Sequence, residues 1–169
     1  MADDWESFDA WVRSREHRLV RAAYLLTGDI HHAEDLVQDA LVKLAQRWAR
    51  LQDQNAEGYV RRVIYHDYVS WWRRKRPRLA ETLPDTEDAD HSELVARRQV
   101  VMQALATLTV KQRAVIVLRY FEDLSEQQTA DLLGVRVGTV KSQTSAAIAR
   151  LRTLGPEFSL APQEGGSER

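Results

Sequence analysis

The chain of 169 residues contains no cysteine, only seven glycines and only four prolines. Without cysteine, neither a disulfide framework nor a cysteine-ligated zinc site can form, and the composition fits a reducing compartment, so we expect a cytoplasmic protein. No apolar run is long enough to span a bilayer, and the acidic start MADDWESFDAW differs from a secretory signal, so we expect no membrane insertion. The few glycines and the lack of a period-two pattern predict an all-α fold.

The net charge is only −1, but it is distributed unevenly along the chain. Residues 61–78 carry seven Lys or Arg against one Asp or Glu, and residues 94–152 carry nine against four. Between them, residues 79–93 carry six acidic residues and no Lys or Arg. Two basic modules are therefore separated by an acidic segment, and clustered positive charge favours contact with nucleic acid.

The acidic segment also divides the apolar pattern of the chain. We predict two small helical domains, at residues 1–78 and 95–154, joined by a flexible linker at residues 79–94. A run of acidic residues with one proline and little periodicity has the composition of a solvated linker. The tail at residues 155–169 is predicted to be disordered. Apolar spacing fits four helical segments on each side of the linker, enough for two small bundles.

Residues 124–151 follow the pattern of two short helices joined by a tight turn. Ser125 followed by Gln128 is a capping-box start, and Gly134 lies where the chain must reverse direction. An apolar repeat at helical spacing follows the turn. A helix-turn-helix places its second helix in the major groove, so this segment predicts binding to duplex DNA.

The segment 59–78, YVRRVIYHDYVSWWRRKRPR, interleaves aromatic and basic residues. At about 100° per residue, an apolar face consists of Val60, Val63, Ile64 and Trp71, which predicts a core position for Trp71. A neighbouring stripe consists of Arg61, Tyr65, Tyr68, Trp72 and Lys75. Rings that stack on bases beside cations that hold phosphates are typical of surfaces for single-stranded nucleic acid. The alternative is that the aromatic residues of the stripe widen the core face.

The predicted helix over residues 33–48 has an apolar stripe and an opposite polar side. The polar side consists of Asp35, Gln38, Asp39 and Lys43. By composition alone, such a side is a solvated helix face.

Three motifs in this order resemble the extracytoplasmic-function group of bacterial RNA polymerase sigma factors. They are GDIHHAEDLVQDALVKLAQRW, YVRRVIYHDYVSWWRRKR and, after the acidic linker, ALATLTVKQRAVIVLRYFEDLSEQQTADLLGVRVGTVKSQ. The Ser-Trp-Trp-Arg-Arg run is similar to an actinobacterial, sigma-E-like subset of that group. The resemblance implies a region 2-like domain that binds core polymerase and recognises and melts the −10 element. It also implies a region 4-like helix-turn-helix domain that recognises the −35 element, and hence a function in promoter recognition and transcription initiation.

The resemblance assigns candidate residues to three surfaces. The core-polymerase surface consists of Asp35, Leu36, Gln38, Asp39 and Lys43. The −10 surface consists of Arg61, Tyr65, His66, Tyr68, Trp72, Arg73, Arg74, Lys75 and Arg76. The −35 surface consists of Arg136, Thr139, Val140, Lys141, Gln143, Thr144 and Arg150.

The implied partners are promoter DNA and core RNA polymerase. Polymerase contact is expected through the clamp helices of the largest subunit and the flap of the second-largest subunit. The sequence leaves open whether an anti-sigma factor is a further partner.

Three positions depart from the pattern that is common in this group. His66-Asp67 stands where Asn-Thr often precedes the tryptophan pair, and Arg136 stands where a serine commonly caps the recognition helix. Gln143 stands where arginine is common. Arginine favours bidentate contact with guanine whereas glutamine suits adenine, so these departures leave the promoter specificity open.

Two other classes of protein fit part of the sequence. The alternative is a stand-alone helix-turn-helix regulator that binds a duplex operator. The basic and aromatic segment argues against it, because a duplex offers no unstacked bases. Such regulators also usually dimerise, and no dimerisation helix is evident in the sequence. An enzyme is disfavoured because the chain has no glycine-rich phosphate loop and no nucleophile motif. The histidines of His31-His32 and His66 do not form the i, i+4 pair of a helical zinc site, so we expect no catalytic residue, metal or cofactor.

Overall fold

The computed structural model describes residues 2–75 and 93–158. Both ranges are helical and contain no strand, which confirms the predicted all-α fold. The first range forms α1 (Ala2–Thr27), α2 (Ile30–Ala45), α3 (Trp48–Leu51) and α4 (Ala56–Lys75). The second forms α5 (Glu93–Ala106), α6 (Val110–Ile116), a π-helical segment (Val117–Phe121) that continues α6, α7 (Glu126–Leu133) and α8 (Val137–Arg152). None of the helices in these ranges is long and apolar enough to cross a membrane.

Capping residues set the helix boundaries. Gly28, with φ 74°, adopts the left-handed conformation that separates α1 from α2. The Asp29 side chain then accepts a backbone N–H of the first turn of α2 at 3.0 Å. Ser125 and Gln128 form the predicted capping box at the start of α7. Gly134, with φ 67°, ends α7 and makes the predicted turn into α8.

The main hydrophobic core lies between α1, α2 and α4. Its most deeply buried side chains include Leu26, Val37, Leu44, Val60 and Ile64. Burial of one such aliphatic side chain stabilises a fold by about 1.5–3 kcal/mol. These contacts fix the three helices against one another.

The same core continues into the second half of the chain. Ala114, Val117, Leu118 and Leu132, from α6, the π-helical segment and α7, belong to the same cluster. A second cluster, between α5, α6 and α8, includes Leu105, Leu108, Ile116 and Leu151. A third consists of Val115, Ala130 and Val140, and it holds the helix-turn-helix together. The two helical groups are therefore packed against each other through a shared apolar seam.

The predicted linker and tail fall at the edges of the described ranges. Of the linker at residues 79–94, only the last two residues are described, and they already belong to α5. The tail predicted to be disordered from residue 155 instead begins with a 3-10 turn, Pro156–Phe158. Phe158 packs against the second cluster. The prediction of disorder is therefore wrong for this turn, because the tail has an apolar ring to bury. Residues 159–169 lie outside the described ranges.

Candidate functional site

The polar side of α2 is exposed where the resemblance predicts polymerase contact. Asp35, Gln38 and Asp39 are exposed because the apolar stripe of the same helix is buried in the main core. Leu36 is part of that stripe, so its assignment to a contact surface is wrong. Val42 is 56% exposed although it is apolar, and it lies four residues after Gln38 on the same side. We call Asp35, Gln38, Asp39 and Val42 the α2 face; helical spacing alone could have identified Val42.

Lys43, which was assigned to the polymerase surface, is engaged within the chain. Its Nζ atom lies 2.7 Å from Oδ2 of Asp67 on α4, and both side chains are partly exposed. This ion pair connects α2 with α4. Lys43 is therefore placed to position the two helices relative to each other.

The predicted stripe on α4 is part of the core. Tyr65 and Tyr68 are each only 1% exposed, so neither ring can stack on a base. Burial raises the pKa of Tyr65 well above its ordinary value and that of Tyr68 to about 12. The assignment of these two rings to a DNA surface is wrong. The reason is that α4 is packed by α1 and α2 on one side and by α6 and α7 on the other, which widens its buried face.

The two tryptophans of α4 exchange the roles that the spacing predicts. Trp72 packs against the main core, whereas Trp71 belongs to none of the core clusters of the described residues. The Trp71 ring lies 4.2 Å from the His32 ring, between centroids, and meets Trp72 edge to face at 5.1 Å. Trp71 is thus the tryptophan at the surface between α2 and the end of α4.

The basic residues of α4 divide into engaged and exposed groups. The Arg61 side chain is 14% exposed and donates from Nε to Oε2 of Glu122 at 2.8 Å, so it is not available to DNA in this conformation. His66, Arg73 and Arg74 are exposed. Two further residues of the predicted −10 surface cannot be placed. The structure does not describe the side chain of Lys75, which ends α4, or any part of Arg76.

The second helix of the helix-turn-helix, α8, is held on one side only. Val140, Ala147 and Leu151 are buried, and Val140 packs against Ala130 of α7. The assignment of Val140 to the −35 surface is therefore wrong. Seven and four residues separate these core positions, so they lie on one side of the helix and the opposite side of α8 faces away from the protein.

The middle of the exposed side of α8 consists of small residues. They are Gly138, Ser142, Ser145 and Ala146, which we call the α8 face. Thr139, which was predicted, is exposed beside them, whereas Gln143 and Thr144 are half-buried at the two edges. Sequence reasoning missed the α8 face because small residues carry no motif. Projection of the helix from its buried positions would have found it.

Basic side chains surround the α8 face. Arg136 precedes the first turn and makes no side-chain cap, as its residue type predicts, and it is exposed like Arg150. Lys141 Nζ lies 3.6 Å from Oε2 of Glu126. Such an exposed pair contributes little to stability, so Lys141 can exchange its partner for a phosphate at small cost.

The histidines of α2 do not converge on a metal-like arrangement. His31 Nδ1 lies 3.9 Å from Oε2 of Glu34 at the exposed start of the helix, and His32 contacts Trp71. Within residues 2–75 and 93–158, no three His, Asp or Glu side chains are grouped as metal ligands would be. These residues take part in surface and packing contacts.

Comparison with known proteins matches each half of the chain to a family model and most of the chain to individual relatives. The Sigma-70 region 2 model matches residues 11–78, and the Sigma-70 region 4 model matches residues 98–151. The chain is 41% identical to the RNA polymerase sigma-E factor of Streptomyces avermitilis over 148 residues, which covers 86% of this chain and 83% of the relative. It is 40% identical to the sigma-E factor of Streptomyces coelicolor, with 86% and 84% covered.

A solved structure shares the fold. The sigma factor RpoE of Bartonella quintana, determined with the anti-sigma factor NepR, superposes with a TM-score of 0.64 at 24% identity, covering 87% of this chain and 95% of RpoE. Matches to sigma factors over both halves favour this function over that of a stand-alone regulator. The chain belongs to the extracytoplasmic-function group of the sigma-70 family, the factors that bind core RNA polymerase and direct promoter recognition and transcription initiation.

Proposed function

We propose that this sigma factor binds core polymerase through the α2 face and binds promoter DNA through the end of α4 and through α8. A difference in charge between exposed surfaces supports the proposal. The α2 face carries Asp35 and Asp39 and repels phosphates, whereas α8 exposes Arg136, Lys141 and Arg150, which attract them. By resemblance, the α2 face meets the clamp helices of the largest subunit, and the second half meets the flap of the second-largest subunit. The proposed functional units are residues 1–78 and 95–154.

The proposed −10 surface lies at the carboxyl end of α4. It consists of Trp71, His66, Arg73 and Arg74, followed by Lys75 and Arg76 as the sequence predicts. In this proposal Trp71 supplies the ring on which an unpaired base stacks. The contact with His32 holds that ring in place from α2. The basic residues that follow hold the phosphates of the opened strand.

The proposed −35 surface is the α8 face with its basic surroundings. Small side chains allow the helix backbone to approach the floor of the major groove. The hydroxyl groups of Ser142 and Ser145 can hydrogen-bond to donors or to acceptors on the base edges. The Ala146 methyl group suits the methyl group of thymine. Arg136 and Arg150 lie towards the two ends of the helix, where they suit phosphates.

Combined substitution of Asp35→Ala and Gln38→Ala tests the α2 face. Both side chains are exposed, so the fold is expected to survive, and binding to core polymerase is expected to weaken by about 1–3 kcal/mol, as for interface anchors. Glu16→Ala removes an exposed acidic residue of α1 and is the control. Titration calorimetry measures both; equal affinities for the double variant and the control would contradict the assignment.

Run-off transcription tests the promoter function as a whole. Core polymerase with a genomic template library, with and without the chain, is expected to yield transcripts that depend on the chain and share two upstream elements. Whether an anti-sigma factor binds this chain is left open by the sequence, and co-purification with the tagged chain tests it.

A further inference from the structure

The start of α1 carries the most exposed large apolar side chain of the described residues. Trp5 is 64% exposed, more than Val42 of the α2 face at 56%. Single apolar residues at a surface are common, so exposure alone does not define a binding site. Trp5 differs from such residues in the way its ring is held and in the charge that surrounds it.

A stack of aromatic rings supports Trp5 from beneath. Its ring meets Phe8 edge to face at 6.0 Å between centroids, and Phe8 meets Trp48 in the same way at 5.3 Å. Trp48 also contacts Trp11 at 5.8 Å and donates from Nε1 to Oγ of Ser7 at 2.8 Å. Edge-to-face contact is a preferred geometry for aromatic pairs. The Trp5 ring is therefore held in place before a partner arrives, which lowers the entropy cost of binding.

The charge of α1 changes sign along the helix. Residues 1–12 carry four Asp or Glu and no Lys or Arg, whereas residues 13–21 carry four Arg and one Glu. Glu6 follows Trp5 directly, and Asp9 lies four residues after Trp5, on the next turn of the same side. Both carboxylates are exposed. Carboxylates beside an exposed ring repel phosphates and attract a cation, so this surface suits a basic partner and not DNA.

Elsewhere in the described ranges, rings at the surface are covered by arginine. Three half-buried rings each have a guanidinium over one face. The pairs are Trp11 with Arg15 at 4.9 Å, Tyr59 with Arg47 at 5.6 Å and Phe121 with Arg21 at 5.6 Å, measured to the ring centre. Trp5 has no guanidinium or ammonium over its ring among the described residues, although tryptophan attracts a cation most strongly. The same contact is therefore left for a cation from another molecule.

We propose that Trp5, Glu6 and Asp9, which we call the α1 start, form a second binding surface for core polymerase and take an arginine or lysine side chain from an exposed basic segment of it. The cation lies over the Trp5 ring, and the carboxylates neutralise its charge. The α1 start repeats the chemistry of the α2 face, where acidic residues accompany the exposed Val42. The stack beneath it includes Trp48, which begins α3 directly after α2. This inference rests on the proposed function, because it assumes that the first half of the chain binds polymerase.

Substitutions of Trp5 separate the proposed contact from simple burial of an apolar side chain. Trp5→Ala removes the ring, Trp5→Leu keeps apolar bulk without an aromatic face, and Trp5→Phe keeps a ring that binds cations more weakly. Glu6→Lys reverses a charge beside the ring, and it is a cleaner change than one at Asp9, which pairs with Arg13 at 2.8 Å. Glu16→Lys makes the same charge change at an exposed position about three turns further along α1 and is the control. Circular dichroism checks that each variant is folded.

Titration calorimetry with core polymerase measures the affinity of each variant of the full chain. Trp5→Ala and Trp5→Leu are expected to weaken binding about five- to thirtyfold, the loss typical of an interface anchor, and Trp5→Phe by less than either. Glu6→Lys is expected to weaken binding about three- to tenfold at low salt, and the control Glu16→Lys to stay within about twofold of wild type. Because the α1 start and the α2 face share no residue, the loss in Trp5→Ala is expected to multiply with that of Asp35→Ala and Gln38→Ala.

Wild-type affinity in Trp5→Ala, in Trp5→Leu or in Glu6→Lys would overturn the second surface. So would a dimer of the free chain that Trp5→Ala dissociates in sedimentation, because the ring would then bind a second copy. Full polymerase affinity of Trp5→Ala, combined with weaker binding of single-stranded promoter DNA by the holoenzyme, would assign the ring to DNA instead. If the α2 double variant binds normally while Trp5→Ala does not, the assignment of the α2 face fails and the α1 start remains.

Discussion

The two helices proposed to read DNA, α4 and α8, differ in how many neighbours surround them. Helices of both halves pack against α4, so it buries Tyr65, Tyr68 and most of Arg61. In contrast, α8 packs on one side only and leaves an exposed face of small residues. The aromatic and basic composition of α4 is thus divided between core and surface, whereas α8 keeps an uninterrupted surface. The identity of the residues on a helix does not reveal which of them contact a ligand until its neighbours are known.

The largest expected effect comes from Tyr68, the ring at the centre of the buried side of α4. Tyr68→Ala leaves a cavity where helices of both halves meet, and it is expected to lower the free energy of unfolding by about 3–5 kcal/mol. Tyr59→Ala, at the half-buried start of the same helix, is the control. Urea denaturation followed by circular dichroism measures both. A loss for Tyr68→Ala no larger than that of the control would mean that the ring is not core.

The ionisation of Tyr68 gives a second test of its burial, through the pH dependence of stability. Burial raises its pKa in the folded chain to about 12, although Arg113 opposes the shift, while the unfolded chain keeps a pKa of about 10. The unfolded chain therefore loses this proton first, and stability falls as pH rises from about 10 to 12, by roughly 2–3 kcal/mol for this group. Tyr68→Phe is expected to remove that share of the pH dependence. Denaturation curves with an unchanged pH slope for Tyr68→Phe, relative to wild type, would contradict it.

The adjacent tryptophans separate core from surface within α4. Trp72→Ala is expected to lower the free energy of unfolding by about 2 kcal/mol, because Trp72 packs against the main core. Trp71→Ala is expected to cost less stability but to impair promoter opening, since the stacking of one base is worth about 1–3 kcal/mol. Transcription from duplex and pre-melted templates measures the second effect. If pre-melted templates fail to rescue Trp71→Ala, Trp71 is not the stacking residue.

The smallest changes concern α8, where substitutions add or remove contacts without disturbing the core. Ser142→Arg places a guanidinium on the α8 face and is expected to create a preference for guanine at one upstream position, by about 1–3 kcal/mol. Arg150→Ala, which removes a cation suited to phosphate, is expected to weaken all promoters about equally. Selection from a randomised −35 library measures both effects. A Ser142→Arg variant with the wild-type preference would place the DNA against another side of α8.

The elements that the sequence predicts well are those governed by local chemistry. The capping box of Ser125 and Gln128 and the turn at Gly134 depend on residues within one or two helical turns, and both are confirmed. The polar side of α2 follows from a regular apolar stripe with a single packed side. In each case the nearest neighbours in the sequence are also the ones that decide the structure.

The errors arise where distant residues decide the environment. Tyr65 and Tyr68 are buried because α6 and α7, which follow more than thirty residues later in the sequence, cover the side of α4 that spacing alone leaves open. Val140 was assigned to DNA with its neighbours, yet it fits against Ala130 across the helix-turn-helix. The ion pair of Arg61 with Glu122 joins positions that are 61 residues apart, and no local sequence pattern predicts it.

The small residues of the α8 face also affect how this protein can change over evolutionary time. At Gly138 an added Cβ would meet no atom within 4 Å, and the neighbouring serines and alanine are exposed as well. A mutation at these positions adds atoms to an unfilled surface instead of replacing a contact on which the fold depends. New promoter preferences can therefore accumulate one substitution at a time, while the buried side of α8 keeps the helix in the same place.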